Sequence, residues 1–471
     1  MLRHSNSAQE LLSYLRMQGP TLSSDLATHF GISRPTLSRR VQDLSNSVVK
    51  IGKGRDTRLA ARHRDAGDAV PIYEVKKDGQ VEVFGQLTAL QQGEAILWLL
   101  ESEDPRKALC ADEFNHGLFP GWPWFLEDLR PAGFLGRAFS EHMSKLFAVD
   151  KDPNKWNDLE LLTTLVSFGS NLQGNLILGN GHALTAFQKH RLKVSSGYYR
   201  NSSPETYPEQ ALHALNEGET FGSSAGGEQP KFTAMVCDHP DATPRAVIVK
   251  FSPRLNTAVG QRWADLLCAE HIANQLLSDI EFNTAHTRIF EVEERIFLES
   301  ERFDRIGPSG RRGLVTLRAL DAAYIGQAGN SWAEVARKLH AGKWITKKDR
   351  DQMVRLYCFG QLIANNDMHW VNLSFFLPKD PPFTLAPVYD MLPMYFRPSS
   401  MGEIIKRKFD PKLPRPEDQA IWLEMYPHAL KYWQRVQEFP EISDEFKEIA
   451  QQVVTALRQT HKVVISPIIR T

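Results

Sequence analysis

The 471-residue chain has only four cysteines, Cys110, Cys237, Cys268 and Cys358, and none stands in a CxxC pair. This scarcity excludes a disulfide scaffold, argues against a zinc ribbon and suits a reducing compartment. No apolar run approaches the ~18 residues a membrane helix needs, and residues 1–10 lack an apolar signal core. Internal repeats and low-complexity tracts are missing as well. With 42% hydrophobic and 24% charged residues, the composition is that of a globular protein. Its length allows two to four domains of roughly 100–200 residues each. The expectation is a soluble, cytoplasmic protein with no membrane partner.

The formal net charge is zero, but it is unevenly spread. Residues 1–64 carry eleven Lys/Arg against four Asp/Glu, a net +7, which leaves −7 on the rest. A basic head on an acidic body points to a nucleic-acid contact at one end. In the head, Leu11, Leu12 and Leu15 have helical spacing, and Gly19-Pro20 stops that helix. Thr21 or Ser23 can cap a second helix carrying Leu22, Leu26 and Phe30, and Gly31 supplies a tight turn. Ser33 caps a third helix with Pro35 in its first turn, where the missing N–H costs nothing. Leu37, Val41 and Leu44 face inward on it, leaving Arg34, Thr36, Ser38, Arg39 and Arg40 for base edges and phosphates. Two strands, 48–53 and 57–62, then flank a basic glycine turn with Lys53 and Arg55. The expectation is a winged helix-turn-helix DNA-binding domain over residues 1–66.

Residues 62–70 read as a linker. Alternation around Lys77-Asp78-Gly79 signals a hairpin, residues 90–100 read as a helix, and the Trp/Phe/Pro-rich stretch 119–125 reads as core. Strand-like runs at 232–237, 246–251, 287–290 and 295–298 enclose an amphipathic helix over 262–277. Helices dominate beyond residue 330. A β-rich segment followed by a helical one predicts a two-lobed α+β domain with a cleft between lobes, divided here as 67–304 and 305–471.

Four features converge on phosphoryl transfer. Asp367 and Asn372, five apart in Asn-Asp-Met-His-Trp-Val-Asn, have the spacing of a kinase catalytic loop, in which the Asp accepts a hydroxyl proton and the Asn holds Mg²⁺. Asp390, eighteen residues beyond Asn372, supplies a carboxylate oxygen of the kind a hard cation prefers. Lys250 ends an apolar strand in Ala-Val-Ile-Val-Lys-Phe, where a lysine can meet nucleotide phosphates and a helix acid. Asp265 and Glu270 are the candidate acids; they lie about 140° apart on a helix, so at most one faces Lys250, and Glu270 is favoured. The fourth feature is the loop Gly222-Ser-Ser-Ala-Gly-Gly-Glu-Gln-Pro-Lys231, whose backbone N–H groups can cradle phosphates. It is not a Walker A motif, since Glu228 stands where that motif requires Lys.

The motifs SSAGGEQPK, VIVKF, ERFDR (301–305), NDMHWVN and APVYDML, in this order over roughly residues 170–400, resemble the HipA family of bacterial Ser/Thr protein kinase toxins. The basic head resembles the subgroup with a fused DNA-binding module, often called YjjJ-like or HipH-like. The resemblance implies a two-lobed HipA-like kinase fold, with Asp367 as catalytic base and Asn372 and Asp390 as Mg²⁺ ligands. It implies that Lys250 binds ATP phosphates, that Gly226, Gly227, Gln229 and Lys231 cover them, and that Glu301, Arg302 and Phe303 line the adenine hinge through their backbone. His369 matches a family histidine and would support the loop. Ser223 or Ser224 would be autophosphorylated, and a dianionic phosphate there would crowd the nucleotide. The expected function is an ATP- and Mg²⁺-dependent Ser/Thr protein kinase acting on a cellular protein and on itself. Its DNA-binding head would serve autoregulation, and an antitoxin is a candidate partner. The alternatives are a transcriptional regulator whose kinase-like body only senses a nucleotide or ligand, and a small-molecule kinase on the same scaffold.

Overall fold

A computed structural model describes residues 2–102, 109–110, 112–195, 202–216, 229–239, 242–326, 331–399 and 401–466. The head contains α1 (Leu2–Gln18), β1 (Thr21–Leu22), α2 (Ser23–His29), α3 (Arg34–Asp43), β2 (Val48–Ile51) and β3 (Arg58–Ala61). Its three strands pair in the order β1-β3-β2. Leu11, Leu15, Leu26, Leu37 and Leu59 form its core. Gly31 (φ 58°) turns the chain between α2 and α3, and Ile32 N–H reaches back to the Ala27 carbonyl. Ser33 caps α3 by accepting from Thr36 N–H. The cap expected from Thr21 or Ser23 is not formed. Leu22 occupies the N-cap of α2, while Ser23 Oγ donates to the Thr57 carbonyl, a partner 34 residues away.

A second unit follows with β4 (Val70–Val75), β5 (Val81–Gln92), β6 (Ala95–Glu101), β7 (Leu118–Phe119), α4 (Gly133–Leu146), α5 (Asp158–Phe168), β8 (Leu176–Leu178) and α6 (His182–Ser195). Its sheet runs β7-β6-β5-β4-β8. The helix expected over residues 90–100 is instead the hairpin of β5 and β6, with Gln92 opposite Ala95 and Gly93 (φ 58°) in the turn. Leu90, Leu97, Trp98 and Leu99 are all buried, so both faces of the ribbon are apolar and no strand-like alternation survives in the sequence. The expected linker is also partly structured. Arg62 bridges Leu90, and His63 N–H donates to the Ala89 carbonyl. Val49, Ile51 and Ala60 of the head share a cluster with Leu90, Leu97 and Leu99, so the head is packed onto the second sheet.

The remaining chain carries α7 (Tyr207–Asn216), β9 (Lys231–Val236), β10 (Arg245–Phe251), α8 (Ala258–Asp279), β11 (Thr287–Val292) and β12 (Arg295–Glu301). These four strands form an antiparallel sheet in the order β11-β12-β10-β9. Residues 67–304, expected as one β-rich lobe, thus hold two separate sheets. Next come β13 (Arg305–Ile306), β14 (Gly310–Arg311), β15 (Leu314–Thr316), α9 (Leu317–Tyr324), α10 (Trp332–Ala341), α11 (Lys347–Leu362), β16 (Ser374–Phe376), β17 (Thr384–Leu385), α12 (Gln419–Glu438) and α13 (Asp444–Ile465). The architecture is mixed α+β, as expected.

Helix α8 is the spine of the molecule. It is buried on nearly every face from Gly260 to Leu277, rather than on one face as the amphipathic helix expected there would be. Its Gly260 is required sterically, because a Cβ there would lie 1.8 Å from the Arg254 carbonyl oxygen. Three ionisable groups point from it in different directions: Arg262 to the Phe396 carbonyl, Asp265 to Ser443, and Glu270 to Lys250.

Candidate functional site

The site is assembled where β9, β10 and α8 meet the loops after α11 and β17. Lys250, near the end of β10, directs Nζ to both carboxylate oxygens of Glu270 at 2.7 Å and to Oδ1 of Asp390. All three are buried or nearly so. Asp265, the other acid considered, faces away. Its carboxylate accepts from Ser443 N–H (2.8 Å) and Ser443 Oγ–H (2.7 Å), tying α8 to the start of α13.

Lys231 on β9 sits directly across from Lys250 in the strand register and is also buried. Burial pushes the Lys231 ammonium down to about 8, against the attraction of Asp390. Burial likewise opposes charge on Lys250, but Asp390 and Glu270 outweigh it and hold this lysine above its ordinary value. Asp390 is held below the usual carboxylate range, because Lys250 and Lys231 override its burial. Its backbone has φ 54°, a left-handed conformation uncommon outside glycine, of which Asp is among the more tolerant residues.

The loop after α11 starts at Ala364, also left-handed (φ 60°). Buried Asn365 accepts the Asp367 N–H at 2.9 Å, and Asn372 Nδ2 donates to the Asp367 carbonyl at 2.9 Å, so the Asn372 amide oxygen is not used in that bond. Asp367 Oδ1 lies 3.0 Å from His369 Nε2 and 3.8 Å from Arg397 Nη1. Tyr389 OH donates to the Val371 carbonyl (2.6 Å) and contacts Ser374 Oγ (2.7 Å), joining the Asp390 segment to the Asp367 loop. Gly360 lets this loop approach α11, since a Cβ there would meet the Met368 sulfur at 2.4 Å.

A cleft of ≈ 1030 Å³ is lined by Gln229, Lys231, Lys250, Asp367, Asn372 and Asp390 together. A smaller cavity of ≈ 90 Å³ opens beside it, lined by Glu301, Arg302 and Phe303 as well as Lys231, Lys250 and Asp390. The N–H groups of Glu301 and Arg302 are given to the His286 and Ala246 carbonyls, and the Arg302 side chain pairs with Asp304. Gly226, Gly227, Ser223 and Ser224 lie outside the described residues. Arg397 and Arg318, and Asp128 from the second unit, also line the cleft and were not picked out from sequence. Asp128 accepts from Thr316 N–H (2.6 Å) and Thr316 Oγ–H (2.7 Å), a pairing across 188 positions that no local pattern announces.

In the head, Arg34, Ser38, Arg39, Lys53 and Arg55 are exposed. Thr36 Oγ1 is bonded to Ser33 Oγ, and Arg40 Nη1 turns back to the Ser7 carbonyl at 3.5 Å.

Comparison with known proteins places these features in a family. Residues 223–461 match the HipA-like C-terminal domain, and residues 66–187 match the YjjJ-like toxin middle domain. Toxin YjjJ of Escherichia coli (strain K12) is 34% identical over 456 residues, spanning 96% of this chain and 98% of that protein. The chain belongs to the HipA-like toxin family. In fold, it resembles a chain of the Shewanella oneidensis MR-1 HipA–HipB toxin–antitoxin complex with operator DNA. The TM-score is 0.50 at 15% identity, covering 83% of this chain and 96% of that one. The YjjJ-like match begins at residue 66, beyond β3 of the head. Among the described residues no helix is long and apolar enough to cross a membrane.

Proposed function

We propose that this toxin-family protein is an ATP- and Mg²⁺-dependent Ser/Thr protein kinase that phosphorylates a cellular protein. The observation that carries the reading is the Glu270–Lys250–Asp390 cluster opening into the cleft that also holds Asp367 and Asn372. In this reading Asp367 accepts the proton of the attacking hydroxyl, and its orientation is set by the Asn365 and Asn372 bonds. Lys250 and Lys231 carry positive charge to the phosphates, and Glu270 keeps Lys250 pointed there. The segment 301–303 borders the adenine through the small cavity, where Phe303 packs edge-on to Phe376 (6.3 Å).

A magnesium ion suits the donor set. One carboxylate (Asp390) and one amide oxygen (Asn372) are the hard ligands that Mg²⁺ takes when substrate phosphates complete its shell. Among the described residues no group of three or more His, Cys, Asp or Glu is placed to cage a metal by itself, so nucleotide phosphates would be needed. When bound, the ion would neutralise charge on the transferring phosphoryl group.

The head would act as a winged helix-turn-helix, with α3 as recognition helix and the turn at Lys53 and Arg55 as wing. Arg34, Ser38 and Arg39 are the exposed α3 groups that would contact DNA for autoregulation. An antitoxin is a reasonable partner, since the structurally similar complex contains HipB and operator DNA.

The test is incubation with radiolabelled ATP and Mg²⁺ in a cell lysate. Wild type should label itself or a lysate protein, and Asp367→Ala should lower labelling by about 10²-fold or more. No label with either protein would favour a ligand-sensing regulator.

A further inference from the structure

Beside the hinge segment, away from the catalytic cleft, lies a second cavity of ≈ 300 Å³ between α6 and the edge of the β9–β10 ribbon. Its walls include Arg302, Arg305 and Arg311, with Phe187, Met235 and Val247 on the apolar side. The three guanidinium groups are buried around a single carboxylate, Asp304, which pairs with Arg302 (2.9 Å) and Arg305 (2.7 Å). Among the described residues, three buried positive charges here face one negative, a costly arrangement unless an anion joins them.

Arg311 is the group least provided for. It is 5% exposed, its Nη2 donates to the Ser170 carbonyl, and its Nη1 has no hydrogen-bond partner among the described residues. Its guanidinium lies 4.5 Å from the Phe187 ring centre. Burial and the nearby charge of Arg302 push it down to about 9, although Asp304 pulls the other way. The hairpin carrying it is held rigidly. Arg311 N–H donates to the Lys76 carbonyl, and a Cβ on Gly310 would lie 1.9 Å from the Lys77 carbonyl oxygen. The site is therefore preorganised and does not need a loop to close.

We propose that this cavity binds a small phosphate monoester, whose dianion is balanced by the Arg302–Arg305–Arg311 group and whose organic part rests on Phe187, Met235 and Val247. Planar guanidinium forks match phosphate oxygens, and the volume falls at the lower end of small-molecule pockets. Arg302 also lines the ≈ 90 Å³ hinge cavity, so the ligand touches the wall between the two sites.

The experiment is equilibrium dialysis of the full chain with radiolabelled inorganic phosphate, with phenyl phosphate as competitor. Wild type should retain phosphate, and phenyl phosphate should displace it where acetate does not. Ala186→Trp, at an exposed α6 position on the cavity wall, should weaken retention by about tenfold or more. Arg311→Met should abolish it, with unchanged circular dichroism as the check on folding. Lys250→Met removes phosphate held in the other cleft, and the fraction of retention that Ala186→Trp abolishes should persist in it, which keeps this result separate from the kinase reading. No retention by wild type, full retention by Ala186→Trp, or loss with Lys250→Met while Ala186→Trp still binds would each overturn the proposal.

Discussion

Lys231 and Lys250 are register partners across the β9–β10 ribbon, two buried ammonium groups side by side above the carboxylates of Asp390 and Glu270. Those acids pull both lysines up, but only on Lys250 do they outweigh burial; Lys231 is pushed down by burial to about 8. Two lysines with divergent proton affinities on adjacent strands would suit the polyanion that the proposed kinase reading brings to this site.

The first expectation concerns protons. The folded-state value for Lys231 lies below its ordinary 10.5, so its buried charge costs stability below about pH 8, and that cost fades as pH rises toward 10.5. In the proposed reading, a bound triphosphate would restore the charge. ATP binding near pH 8 should therefore take up protons, seen by calorimetry in buffers of different ionisation enthalpy, and ATP affinity should fall as pH rises through about 8. Flat affinity and zero proton exchange would remove Lys231 from the phosphate site.

Glu270 and Asp265 should separate cleanly. Glu270→Gln removes one of two acids on a buried lysine and should cost about 3 kcal/mol in urea unfolding while sharply lowering phosphate transfer. Asp265→Ala should cost about 1–3 kcal/mol through the lost Ser443 bonds, with transfer by the remaining folded protein unchanged. Equal kinetic effects from the two would mean that Glu270 does not position Lys250.

Tyr389→Phe tests the tie between the two loops. The change takes a hydroxyl away from the part-buried Val371 carbonyl and should cost about 1 kcal/mol of stability. Because it loosens Asp390 relative to Asp367, it should lower kcat more than it raises the KM for ATP. Unaltered kcat would show that the loops hold their spacing without this hydroxyl.

DNA binding should distinguish the arginines of α3. Arg39 and Arg34 are exposed, whereas Arg40 contacts the Ser7 carbonyl. If each exposed arginine neutralises one phosphate, Arg39→Ala should reduce the slope of log affinity against log salt by about 0.9, and Arg40→Ala should do less. A larger effect from Arg40 in a gel-shift titration would place the DNA on another face.

Much of this was legible along the chain because it is local. The Asp367–Asn372 spacing, the α3 cap at Ser33 and the strand ending near Lys250 depend on neighbours in sequence. The β5–β6 hairpin was not legible, since a ribbon buried on both faces shows an apolar run that fits helix or strand equally. Nor was the docking of the head, which depends on Val49 and Ile51 meeting Leu97 and Leu99.

By itself the sequence determined the mixed α+β class, the basic head and the order of the phosphate-chemistry motifs, because composition and short-range spacing write these directly. Only the tertiary structure decided which acid meets Lys250, that Asp128 braces Thr316, and that three arginines gather around Asp304. Those outcomes follow from strand register and helix rotation, which bring together side chains up to 188 positions apart and leave no mark on either local segment.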